Sequence, residues 1–135
     1  MTRALTIYLR AAGIVALAPL LTACPPAGAP TLAFPTSFTT LTAKTTATFT
    51  YSVTLGTAPG ASRKTDFEIF PNTAGVFTNF GPNILVNKPT YSVLTDSAGL
   101  VTGLWVRCDT AGHAVQVRAT DTASGEQAKF EFNCV

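Results

Sequence analysis

Thr46-Ala47-Thr48-Phe49-Thr50-Tyr51-Ser52-Val53-Thr54-Leu55 alternates without a break. Ala47, Phe49, Tyr51, Val53 and Leu55 fall on one side of this stretch, and Thr46, Thr48, Thr50, Ser52 and Thr54 on the other. Successive side chains of a strand point to opposite faces, so a period of two specifies a β-strand with one buried face. A buried helix face would need a period near 3.6, and no segment beyond the Pro-rich stretch ending at Pro30 shows a convincing one.

Neighbouring segments repeat the pattern. Upstream, Leu32, Phe34, Thr36 and Phe38 share a face of a first strand, which Pro35 marks as an edge. Downstream, Gly56 to Gly60 is a turn, and a strand near Thr65 to Phe70 turns Phe67 and Ile69 inward before Pro71-Asn72 breaks it. Between Asn72 and Pro89 the glycines, prolines and asparagines predict short strands joined by irregular loops. Tyr91 to Leu94 is a further strand. Leu100, Thr102, Leu104, Val106 and Cys108 are then expected on one face of another. Val115, Val117 and Ala119 are expected inward against Gln116 and Arg118. Ala128, Phe130, Phe132 and Cys134 are expected inward against Lys129, Glu131 and Asn133. Short strands, frequent turns and no helix predict an all-β sandwich or barrel.

The first residues follow a different grammar. Arg3 and Arg10 precede the apolar run Ala11 to Leu21, with no acidic residue before Asp66. Pro19 interrupts that run, and it is shorter than the roughly 20 apolar residues that span a bilayer. Its end, Leu21-Thr22-Ala23-Cys24, resembles the lipobox of bacterial lipoproteins. The resemblance implies cleavage before Cys24 and a diacylglycerol on its sulfur, and it covers only the first two dozen residues. A plain signal peptide cut near Ala23 and an uncleaved anchor helix are the alternatives. The expected organisation is a signal peptide at 1–23, a stiff Pro-rich tether at 24–30 and a single domain at 31–135. Because two or more acyl chains hold a protein stably at a membrane, the expected location is the cell envelope, with the outer membrane or cell surface favoured over the inner membrane.

Nine Lys and Arg face seven Asp and Glu over the whole chain. Arg3 and Arg10 belong to the signal, so the charges of the remainder cancel. A balanced surface without a basic cluster argues against nucleic acid as a partner. Export also places Cys108 and Cys134 where disulfides persist.

The segment Thr95 to Thr102, followed by Ala111 to Thr120, resembles the end of bacterial immunoglobulin-like modules. It has an Asp/Gly turn, a strand, an Ala-Gly turn and a strand rich in Val and Thr. The resemblance covers about the last forty residues. It implies a single antiparallel immunoglobulin-like β-sandwich with adhesive, spacing or partner-binding roles. In such a fold the last three strands run down, up and down, so Cys108 and Cys134 close two of them at one pole and in the inward register. With Cys24 lipidated, this predicts a Cys108–Cys134 disulfide away from the mid-strand antibody position; the alternative is two free thiols.

No cofactor or metal is expected. His113 is the single histidine, and with Cys108 and Asp109 nearby it forms only a fragment of a metal site. No serine stands in a nucleophile elbow. Asp66 and Glu68 share a strand face beside Arg63 and Lys64, as a solvated outer face would. Partner binding is the stronger expectation. Phe70, Phe77 and Phe80 lie among Pro, Asn and Gly residues, and Trp105 falls opposite Leu104 and Val106, alongside Val101. The alternative is that the rings close the end of the core and that Trp105 is core. The function expected is a non-enzymatic, lipid-anchored accessory or structural subunit docking to another envelope or surface-layer protein. The second reading is a small-ligand or metal-binding envelope protein that uses the His113 turn.

Overall fold

The computed structural model describes residues 28–135. The expected signal, most of the tether and the Cys24 lipidation site lie outside the described residues. Eleven strands follow in order: β1 (Thr31–Thr36), β2 (Thr40–Leu41), β3 (Thr46–Leu55), β4 (Ala58–Pro59), β5 (Lys64–Phe70), β6 (Gly75–Phe80), β7 (Ile84–Lys88), β8 (Thr90–Leu94), β9 (Leu100–Cys108), β10 (Ala114–Asp121) and β11 (Gln127–Cys134). They form two sheets. The first has the order β1-β3-β9-β6-β7, with β4 folded back onto β3; the second has the order β2-β11-β10-β5-β8. The fold is all-β and a sandwich.

In an immunoglobulin constant-type domain, strands A, B, E and D share one sheet and C, F and G the other. Here β1, β3, β9 and β6 take the first set of places and β5, β10 and β11 the second. Two details depart from the expected plain antiparallel sandwich. The short β2 pairs with β11 in parallel. After β5, the chain crosses to β6 and β7 in the first sheet and then returns to β8 beside β5.

The stretch at 46–55 forms β3 in full, with Phe49, Tyr51 and Val53 buried. Phe49 ties the two layers together. Its ring centroid lies 5.6 Å from Phe34 on β1, 5.8 Å from Phe67 on β5, 6.5 Å from Phe77 on β6 and 5.3 Å from Phe130 on β11. Each fully buried ring contributes roughly 1.5–3 kcal/mol through the apolar area it removes from water, so one residue anchors four strands.

The alternation on β9 slips midway. Phe49 pairs with Leu104 and Tyr51 with Val101, so one residue on β3 faces two on β9, Thr102 and Gly103. Gly103 has φ 77°, a left-handed conformation that glycine adopts without steric cost, and it makes a β-bulge. The bulge reverses the faces beyond it. Val101 is therefore core and Thr102 is exposed, which corrects the expectation that Leu100 and Thr102 share a face with Leu104.

Cys108 ends β9 in the first sheet and Cys134 ends β11 in the second. They are joined as a disulfide with Cα atoms 5.9 Å apart. The bond staples the sheets together at one pole, through strand ends. A loop closed over a sequence separation of 26 contributes on the order of 3 kcal/mol by the chain-entropy argument.

Candidate binding face

The second sheet's outer surface follows from the strand register. β10 lies between β5 and β11, and its partners set outward-facing residues into rows. Asp66, Thr120 and Gln127 form one row, Glu68, Arg118 and Lys129 the next, and Phe70, Gln116 and Glu131 the third. Outward positions of a strand recur every second residue, so all three rows stand on one side of the sheet.

The side chains hold one another in place. Arg118 Nη2 donates to Gln116 Oε1 at 3.0 Å, and Gln116 Nε2 donates to Glu131 Oε1 at 2.8 Å. Arg118 lies 3.6 Å from Glu68, and Lys129 lies 3.7 Å from Glu131. The Arg118 guanidinium also stacks over Phe70, 5.8 Å from the ring centroid. Exposed ion pairs of this kind add little stability; their effect is to orient the polar groups. With Lys64 and Asp66, the outward charges of these strands number three of each sign.

Two shallow depressions open on this side. One, of about 510 Å³, is lined by Gln116, Arg118, Gln127, Ala128 and Lys129; the other, of about 240 Å³, by Phe70, Pro71, Ala114, Val115, Gln116 and Glu131. Gln116 belongs to both. Phe70 is 56% exposed and is the one aromatic ring among the large exposed apolar side chains of the described residues.

The aromatic residues singled out in the sequence separate into different roles. Phe70 is on the surface, at the end of β5. Phe77 is fully buried on β6, which corrects its assignment to a partner-binding loop: β6 forms between two short turns, and its inward register sends the ring into the core. Phe80 is half-buried and packs against Tyr91 at 5.6 Å. Trp105 is half-buried on the first sheet's outer face, where its backbone pairs with Thr48 and Asn79. Val101 does not join it, because the Gly103 bulge turns Val101 inward. That face carries the threonines of β3, and its strands contain two charged residues, Lys88 and Arg107.

The His113 turn brings no ligand set together. Cys108 is bonded to Cys134, Asp109 accepts from Arg107 Nε at 2.7 Å, and His113 is exposed. Among the described residues no group of three or more His, Cys, Asp or Glu could hold a metal ion. Asp66 and Glu68 are committed separately, Asp66 accepting from the Ser92 hydroxyl and Glu68 facing Arg118.

No protein family, curated protein or solved structure matches this chain. The chemistry of the face therefore rests on its own residues.

The opposite pole holds a polar cluster that sequence reasoning missed. Asp121 continues the inward register of Val115, Val117 and Ala119 and is fully buried. Arg63 meets it with both Nε, at 2.8 Å, and Nη2. The Ser124 hydroxyl and backbone N–H also donate to Asp121, at 2.6 and 2.9 Å. The Arg63 bond is the largest cause holding the Asp121 carboxyl down at about 2; desolvation opposes it, and the Ser124 bonds add to it. The buried hydroxyls of Tyr51 and Thr65 are neighbours of this cluster and make no hydrogen bond of standard geometry. Burial is the main cause raising the Tyr51 phenol pKa. Here the polar groups close the end of the core.

Proposed function

We propose that this protein is a non-enzymatic docking subunit of the cell envelope, held to a membrane by lipid on Cys24 and presenting the Phe70 face to another envelope component. One observation carries the reading: the described chain enters at one pole and Phe70 stands toward the other. Thr31, the first residue of β1, pairs with Thr54 near the end of β3, on the side of Arg63 and Asp121. Phe70 ends β5 opposite Gln116, close to Ala114 and to the disulfide pole. The eight residues of β10 put roughly 26 Å between the poles at about 3.3 Å per residue. A tether ending at Pro30 thus leaves the Phe70 end pointing away from the lipid.

Fractionation of the producing cells tests the anchor. The wild-type chain is expected in the membrane fraction, resistant to high salt and released by detergent. Cys24→Ser is expected in the soluble fraction, or unprocessed. Unchanged detergent-sensitive retention of a processed Cys24→Ser chain would contradict the reading.

A further inference from the structure

We infer that the outer face of the second sheet binds an uncharged polysaccharide of the cell surface, with Phe70 as the stacking platform and Gln116, Arg118, Gln127 and Glu131 reading hydroxyl groups. The inference rests on the docking role of this face and names what it takes.

Charge comes first. The cations and anions of the face are equal in number, and Arg118 pairs with Glu68 and Lys129 with Glu131, so the face has no net charge with which to attract a nucleic acid or an anionic lipid surface. Those ligands are held by an excess of Lys and Arg. A ligand without charge meets no net attraction or repulsion there, so local hydrogen bonds and stacking decide its binding.

Hydrogen bonding comes second. Gln116 gives one N–H to Glu131 and accepts one bond from Arg118. Its second N–H and second lone pair stay free, as do further guanidinium donors on Arg118 and the second carboxylate oxygen of Glu131. Donors and acceptors therefore alternate over a short distance. A sugar hydroxyl donates and accepts at once, and adjacent hydroxyls match such a row. Because the protein's own bonds already orient these groups, little side-chain freedom remains to be lost on binding.

Shape and apolar surface come third. Phe70, Pro71 and Ala114 supply an apolar end beside the smaller depression, suited to the C–H face of a pyranose ring. The larger depression of about 510 Å³ is within the range of small-ligand sites, and with the smaller one it accommodates a run of a few sugar units. A bound protein segment would call for a buried apolar anchor or a free sheet edge. The face has instead a polar grid on the central strands β5, β10 and β11.

Affinity electrophoresis of the full chain, purified in detergent, tests the assignment. The gels contain either the neutral polysaccharide fraction extracted from the producing cells or alginate as an anionic comparison. Retardation by the neutral fraction that persists in high salt is expected, with none by alginate. Phe70→Ala and Gln116→Ala should each weaken it about tenfold, with thermal unfolding little changed because neither side chain belongs to the buried core. Trp105→Ala, on the other sheet, should leave it unaltered. No retardation by the neutral fraction, or loss in Trp105→Ala with retention in Phe70→Ala, overturns the polysaccharide assignment. A photo-crosslinking residue at position 129 separates the two levels of the proposal. Crosslinking to one defined protein in intact cells, without polysaccharide binding, removes the ligand class and keeps the docking face. Absence of both removes the docking face as well.

Discussion

Arg63→Ala should destabilise the sandwich by about 3 kcal/mol at neutral pH. Asp121 is fully buried and takes two bonds from the Arg63 guanidinium. Removing that partner leaves a carboxylate in the core with only Ser124 to solvate it. Arg63 itself is 19% exposed, which lets water reach the vacated space and keeps the cost toward the lower end for a broken buried pair. The pH dependence carries the same information. The folded Asp121 pKa, about 2, lies below its ordinary 3.8. The unfolded chain therefore binds a proton first as acid is added, and the pair's contribution is fully present above about pH 4 and lost as the pH falls through about 2. That loss is about 2 kcal/mol. Urea unfolding at neutral and acidic pH should show this decline in the wild type. In Arg63→Ala it should be absent, because burial without the cation favours the protonated acid. Equal stability of the two proteins at neutral pH would show that the pair does not close this pole.

Gly99→Ala should be at least as damaging, at about 4 kcal/mol or more. Gly99 has φ 74°, where an L side chain is strained by roughly 1–2 kcal/mol. A Cβ there would stand 2.5 Å from the Val53 carbonyl oxygen and 2.8 Å from the Gly60 nitrogen. Neither atom is free to retreat, since the Gly60 N–H donates to the Val53 carbonyl and the Val53 N–H donates to Gly99, each at 2.8 Å. The turn itself is closed by Asp96, whose carboxylate accepts from the N–H groups of Ala98 and Leu100. Thermal unfolding of Gly99→Ala beside Gly112→Ala isolates the contact. Gly112 also has positive φ but has open space around its added Cβ, so it should show the conformational strain alone. Similar losses at the two positions would contradict the crowding argument.

The strands with unbroken alternation were legible because one buried face imposes it: β3, β10 and β11 lie where the period of two puts them. Legibility failed where a residue's meaning depends on distant chain. Gly103 in Val101-Thr102-Gly103-Leu104-Trp105 permits either a flat strand or a bulge, and the pairing with β3 decides for the bulge. Phe77 sits among turn-forming residues, yet the turns at 71–74 and 81–83 are short and leave a strand between them. Asp121 went unread although it continues the inward register of Val115 to Ala119, where an acid demands a partner; that partner is Arg63, 58 residues earlier. The binding face was half legible. Alternation turned Gln116, Arg118, Lys129 and Glu131 outward, whereas the row that sets Phe70 beside Gln116 exists only because β5 pairs with β10.

The proposed lipid on Cys24 would hold the pole of Arg63 and Asp121 toward the membrane and leave the Phe70 end free. Energy transfer from a single fluorophore to acceptor lipids, with the full chain in membrane vesicles, measures this directly. The label is placed in turn at Ala98→Cys, beside the chain's point of entry, and at Asn72→Cys, beyond Phe70; both positions are exposed. Stronger transfer from position 98 than from position 72, abolished in both when Cys24→Ser is combined with removal of residues 1–23, is the expected result. Equal transfer, the reverse order, or transfer that survives that double change would contradict the proposed anchor.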